Sequence, residues 1–283
     1  MGSVRTLLAI AVVFAHSYGF IFVGGRLAVQ LFYVISGFLI SYILVEARTY
    51  RTVSSFYANR FLRLFPIYWF VAISTIIAVL FASLIFNETH KTISTFEALG
   101  FGGKLSLALS NLLLFGQDWI MFTGVRGGDF QFVTDFRESD VQVWQGLLVP
   151  QAWTLGVELS FYLIAPFVLV RRNLMLALLL CSLFLRGYLI YIGLGTKDPW
   201  TYRFFPTELA LFLFGACAHQ FLKPFYEKRE LLTENLSKIL TVVIFIYCSV
   251  YFLLTYRGLI QLALIGAFIL FLPHLFKFQS NYR

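Results

Sequence analysis

Residues 60–86 read RFLRLFPIYWFVAISTIIAVLFASLIF. After Arg63 the run 64–86 carries no charged residue. About 20 consecutive apolar residues are enough to cross the hydrocarbon core of a bilayer as a helix, so this stretch predicts a membrane span. Arg60 and Arg63 stand at its mouth. Positions i and i+3 are neighbours on a helix, which predicts one cationic patch there. Planar, forked guanidinium donors suit phosphate groups better than ammonium groups do. Pro66 lies in the first turn of the apolar run, and Tyr68 and Trp69 form an aromatic pair of the kind that settles at a membrane interface.

Composition extends this reading to the whole chain. Of 283 residues, 59% are hydrophobic, 19% aromatic and only 13% charged, with a mean hydropathy of +0.80. Soluble domains carry about 25% charged residues, and no soluble core could hide this much apolar surface. The expected fold is all-α: a polytopic transmembrane helical bundle, one membrane domain over residues 1–283. The net charge of +8 does not mark a nucleic-acid partner, because Lys and Arg fall in short clusters between apolar spans.

Apolar stretches of spanning length run over about 6–23, 27–47, 64–86, 153–170, 173–194, 206–222, 238–255 and 259–276, about eight spans. With the amino terminus inside, every basic cluster between them falls on the cytoplasmic side: Arg48 to Arg63, Arg171 and Arg172, Lys223 to Arg229, and Lys277. The apolar segment 105–117 is too short to span and reads as re-entrant or interfacial. Segment 87–152 then faces outward, and its part 118–150 is rich in Asp and Glu. Ala15-His16-Ser17 loosely fits a signal-cleavage site, but the apolar run continues through Val23, which favours an uncleaved first helix. Cys181, Cys217 and Cys248 have neither disulfide nor metal spacing and are expected as buried small side chains.

Ionisable residues inside such spans are costly and mark function by default. Arg5 and His16 form the pattern R-x10-H in the first span. Eleven helical steps advance ~16 Å and rotate about 20° past three turns, so the two share one face, cation at the surface and imidazole near mid-membrane. Ser36-Gly37 in the second span allows close helix packing, or leaves room for an acyl chain beside His16. In the fourth span, Trp153-Thr-Leu-Gly-Val-Glu158 places a carboxylate inside the outer surface, either salt-bridged to another helix or orienting His16 or an incoming hydroxyl. His90, His219 and His274 read as interfacial. Arg186 and Glu208 are further embedded charges. No metalloprotease, serine-hydrolase or nucleotide-binding motif is present, nor a carboxylate cluster for metal.

The R-x10-H helix, FYVISGFLI (32–40), RFLRLFPIYW (60–69) and WTLGVELSFYLIAP (153–166), in this order, resemble the acyltransferase-3 family of bacterial integral-membrane acyltransferases. Four motifs carry the resemblance over residues 5–166; residues 173–283 agree in hydropathy. The resemblance implies an O-acyltransferase that moves an acyl group, often acetyl, from cytoplasmic acyl-CoA to a hydroxyl of an extracytoplasmic glycan or lipid-linked saccharide. It implies the bacterial inner membrane as location and acyl-CoA as a donor substrate, with no permanently bound cofactor and no metal. By position, His16 and Glu158 become catalytic, with His16 as general base. Arg5, Arg60 and Arg63 bind the donor, and Trp153, Ser36 and Gly37 line the substrate path. Asn59 departs from the family, where another Arg often precedes the RxxR segment. The family typically has ten spans, so a chain with eight reads as lacking the last pair. The competing expectations are a transporter or exporter of a glycan or small molecule, and an inactive shortened homologue.

Overall fold

The computed structural model describes residues 2–17, 24–195, 197–251 and 257–280. Helices account for nearly all of the regular structure: α1 (Gly2–Ser17), α2 (Gly25–Ser41), α3 (Val53–Phe86), α4 (Lys91–Ala98), α5 (Phe101–Leu113), α6 (Gln117–Ile120), α7 (Trp153–Val168), α8 (Arg172–Tyr191), α9 (Phe205–Cys217), α10 (Lys223–Lys228), α11 (Glu234–Val250) and α12 (Arg257–Ser280). A short hairpin, β1 (Thr123–Arg126) with β2 (Asp129–Phe132), interrupts the helices. The two central residues of its turn are Gly127 and Gly128, both at positive φ. A tight hairpin turn of this type demands that conformation, and glycine adopts it without strain.

Four helices are long and apolar enough to cross a membrane: Gly25–Glu46, Val53–Phe86, Arg172–Tyr191 and Gln261–Phe278. These coincide with the predicted spans 27–47, 64–86, 173–194 and 259–276. The remaining predicted spans appear among the described residues as shorter helices, with residues 18–23 and 252–256 lying outside the description. The segment expected to be re-entrant or interfacial forms α5, 13 residues long. Cys248 is buried as expected, whereas Cys217 is half-buried and Cys181, on α8, is exposed.

Helix α3 shows why a membrane sequence folds this way. Thr52 caps it through a reciprocal pair: Ser55 N donates to Thr52 Oγ1 at 3.1 Å, and Thr52 N donates to Ser55 Oγ at 3.3 Å. Its 34 residues make a rod about 51 Å long, more than the ~30 Å of hydrocarbon needs. Most of its apolar side chains are exposed, Leu84 at 82% and Phe70 at 72%. In water that surface would be prohibitive, while lipid solvates it.

Two compact units divide the chain, residues 1–49, 165–183 and 208–283, and residues 50–164 and 184–207. In the first, α2 is the central element, buried at Leu27 through Leu31 and at Tyr33 through Phe38. Gly37 and Gly215 make the contact of α2 with α9 backbone to backbone: a Cβ on Gly37 would overlap the Phe212 carbonyl, and one on Gly215 would overlap that of Val34. Tyr33 stacks on Phe212 beside them, with ring centroids 4.6 Å apart.

Both helices of that pair end in a turn of π-helix, Tyr42–Glu46 after α2 and Ala218–Leu222 after α9. The widened turns place His219 between two partners. Its Nδ1 lies 2.9 Å from Ser41 Oγ and its Nε2 lies 2.9 Å from Glu46 Oε2. Lys223 Nζ donates to both Glu46 oxygens at 2.7 Å, and Gln220 Nε2 donates to Ser41 Oγ and to the Leu169 carbonyl.

In the second unit, the Tyr68–Trp69 pair does more than mark an interface. Tyr68 Oη donates to the Asn111 carbonyl at 2.7 Å, and Trp69 Nε1 donates to that of Leu112 at 2.9 Å, so the pair satisfies the C-terminal end of α5. Asn111 continues outward: its Nδ2 donates to the Gly146 carbonyl, and its Oδ1 accepts from Leu148 N. These bonds pin the loop that leads into α7.

Candidate active site

Arg5, His16, Ser36 and Gly37 belong to the first unit; Arg60, Arg63, Trp153 and Glu158 belong to the second. Arg5 lies on α1, its guanidinium 5.8 Å from the ring centroid of Phe32 on α2. His16 is in the last turn of α1, and its side chain lies outside the described residues. Ser36 and Gly37 are buried on α2, and the Phe212 backbone occupies the space beside Gly37.

Arg60 and Arg63 have different surroundings. The i, i+3 step leaves an angular offset of about 60° on a helix, enough to turn one side chain inward and the other outward. Arg63 is exposed, and Arg60 is buried at 6% exposure. Three rings surround the Arg60 guanidinium, with centroids at 5.9 Å for Tyr50, 5.5 Å for Phe56 and 5.6 Å for Tyr162. Its Nη2 donates to Tyr50 Oη at 2.8 Å and to Asn59 Oδ1 at 3.0 Å. Tyr50 Oη donates in turn to Asn59 Oδ1 at 2.8 Å. Asn59, which stands where the resemblance would often place another Arg, thus supplies an acceptor to Arg60. Arg60 Nε has no hydrogen-bond partner among the described residues.

Glu158 sits on α7, buried, and its Oε1 accepts a 2.5 Å hydrogen bond from Tyr162 Oη one turn further on. The structure therefore brings Arg60 and Glu158 to the same tyrosine. Trp153 opens α7 and is buried beneath Arg203, whose guanidinium lies 4.3 Å from the ring centroid. Arg203 in turn forks onto Asp198, with Nε to Oδ1 at 2.8 Å and Nη2 to Oδ2 at 3.2 Å. A desolvated cation over an indole face is held electrostatically by the ring, which fixes the first turn of α7.

Some functional candidates escaped sequence reasoning. Tyr162 stands four residues from Glu158, a spacing that puts both on one helix face, so it carried a usable signal. Tyr50 carried none, because only tertiary packing brings it to Arg60, and Asn59 stood out in the sequence only as a departure from the family. Asp118, in the acid-rich outer segment, is 1% exposed, and its Oδ1 has no partner among the described residues. A Cβ on Gly156 of α7 would lie 3.0 Å from that oxygen. Burial pushes the Asp118 carboxyl up to about 7. Arg186 donates to the carbonyls of Thr201 and Thr207, and Glu208 accepts from Gln30 Nε2 at 3.3 Å.

Comparison with known proteins decides the family. The family model described as Acyltransferase domain (Acyl_transf_3) matches residues 2–282. The chain belongs to this family. The match extends past residue 166, so the C-terminal helices are part of the same domain pattern that the four N-terminal motifs announced. An uncharacterized protein of Aquifex aeolicus (strain VF5) is 29% identical over 110 residues, covering 38% of this chain and 46% of that protein. The matched segment thus spans about half the length of that relative. No solved structure matches the chain.

Proposed function

We propose that this membrane acyltransferase moves an acyl group, in the first instance acetyl, from cytoplasmic acyl-CoA to a hydroxyl of an extracytoplasmic glycan or lipid-linked saccharide. The observation that carries this reading is the family match over nearly the whole chain, joined to the R-x10-H pattern on its first helix. CoA is large and anionic and stays on the cytoplasmic side, whereas the acceptor hydroxyl is outside. The chemistry then needs a path through the helices with a base along it.

His16 is that base. Its imidazole takes the proton of the acceptor hydroxyl as the oxygen attacks the thioester carbonyl. The new C–O ester bond forms, the C–S bond breaks, and the CoA thiolate leaves and recovers the proton. Arg63, exposed on α3 ten residues into the helix, and Arg5 offer charge-assisted donors to the CoA phosphates. Glu158 receives the acceptor hydroxyl, and Trp153, on the same helix, shapes the entrance to it. The reading places the protein in the bacterial inner membrane, amino terminus cytoplasmic.

The test uses membranes carrying the protein, radiolabelled acetyl-CoA and a count of label in the glycan fraction. His16→Ala is expected to lower turnover by about 10²–10⁴-fold while the protein still inserts. Turnover equal to wild type would remove His16 from the chemistry. Glycan that crosses the membrane without acquiring label would favour a transporter instead.

A further inference from the structure

We infer that Tyr162 is a positioning residue of the acyl-transfer site, holding Glu158 in place from a buried, arginine-backed ring. The inference rests on the acyltransferase reading for what Glu158 does. Three observations converge on this side chain. Its hydroxyl donates to Glu158 Oε1 at 2.5 Å, and both residues are buried, at 6% and 8% exposure. Hydrogen bonds from O–H to a carboxylate at 2.5–2.7 Å are the short, charge-assisted kind, stronger than neutral pairs. A bond this short between two buried groups restricts the rotamers of the carboxylate.

The second observation is the guanidinium of Arg60, 5.6 Å from the centre of the Tyr162 ring. A cation over the ring draws electron density from it and makes the phenol a better donor, and the ring quadrupole holds the cation in return. Arg60 cannot drift, because Tyr50 Oη and Asn59 Oδ1 accept from its Nη2 and the rings of Tyr50 and Phe56 close around it. The third is the packing of the neighbouring turns. Phe56 meets Tyr162 edge to face at 6.0 Å, and Tyr57 Oη donates to the Leu163 carbonyl at 2.7 Å. The first turns of α3 therefore hold α7 at Tyr162 and at the residue that follows it. Arg60, with Arg63 the sequence candidate for binding phosphate, is buried and commits its Nη2 to Tyr50 Oη and Asn59 Oδ1. The two arginines divide the work: Arg60 supports the carboxylate through Tyr162, and Arg63 is left to meet the donor.

Tyr162→Phe tests this, since it keeps the ring and the cage and deletes only the hydroxyl. Labelled-acetyl transfer is measured for wild type, Tyr162→Phe, Glu158→Gln and the double variant, with infrared spectra of the carboxyl region for each. The expected loss in kcat for Tyr162→Phe is about 10- to 100-fold, with KM for acetyl-CoA within about twofold. The double variant should be no worse than Glu158→Gln alone, because residues that act as a unit are not additive. The infrared band that Glu158→Gln removes should be displaced in Tyr162→Phe. An unchanged kcat, or losses that add in the double variant, would overturn the inference while leaving the transfer reaction standing. If the wild type transfers no label, the acyltransferase reading fails by itself and the infrared band decides the positioning: displaced, it supports the hold on Glu158; unmoved, it refutes it.

Discussion

Asp118 lies beside Gly156 of α7 with one carboxylate oxygen unpartnered among the described residues, and burial carries its pKa from 3.8 to about 7. An acid with a raised folded-state pKa keeps its proton where the unfolded chain has released it. The contribution of this group to stability is then fully present below about pH 4, falls as pH rises toward about 7, and levels off above that, a change of roughly 4 kcal/mol at most. Melting temperatures of the detergent-solubilised protein should be lower at pH 8 than at pH 5, and the gap should narrow in Asp118→Asn. A gap that survives this substitution would assign it to another group. Arg63 gives the second prediction at this scale: Arg63→Ala should raise KM for acetyl-CoA about tenfold, the order lost with a charged hydrogen bond, with kcat retained. Steady-state kinetics over a range of acetyl-CoA concentrations measures it. Glu158 was legible in the sequence because a carboxylate in an apolar run is conspicuous. Asp118 was not, since it sits among other acids in a polar segment and only the fold distinguishes a buried one from its exposed neighbours.

Among the elements, α3 was the most readable, because an uncharged run longer than the bilayer requires leaves no other solution. Helices α9 and α11 were recognised as apolar but not in their boundaries. The π-turn that ends α9 depends on His219 meeting Ser41 and Glu46, partners more than 170 positions away in the chain. Periodicity along one helix cannot register such a partner. The sequence placed His219 near a span end but gave no sign that it is buried among side chains, at 3% exposure. The Ser36-Gly37 step was legible as a close-packing signal, and the geometry at the Phe212 carbonyl accounts for it. Gly37→Ala should force α2 and α9 apart and cost about 1–3 kcal/mol, the usual penalty of overpacking. Thermal unfolding in detergent reads that loss directly. A melting temperature equal to wild type would mean that the two helices separate freely, contrary to the close contact described here.

For the whole molecule, composition and charge placement were enough for a helical membrane protein, and four short motifs were enough for the family. The hairpin β1–β2 and the pinned loop before α7 were beyond them, because glycine pairs and asparagine side chains work through partners that sequence order does not reveal. In the proposed reaction one chain passes an acyl group from a donor on the cytoplasmic side to an acceptor on the other. Inverted membrane vesicles, with the cytoplasmic face outward and the cell's own lipid-linked saccharides in the lumen, test it most directly when radiolabelled acetyl-CoA is added outside. Label on luminal saccharide is expected from the wild-type protein and nearly none from His16→Ala, with the CoA left outside. Equal labelling by the two proteins, or label confined to molecules on the outer face, would contradict it.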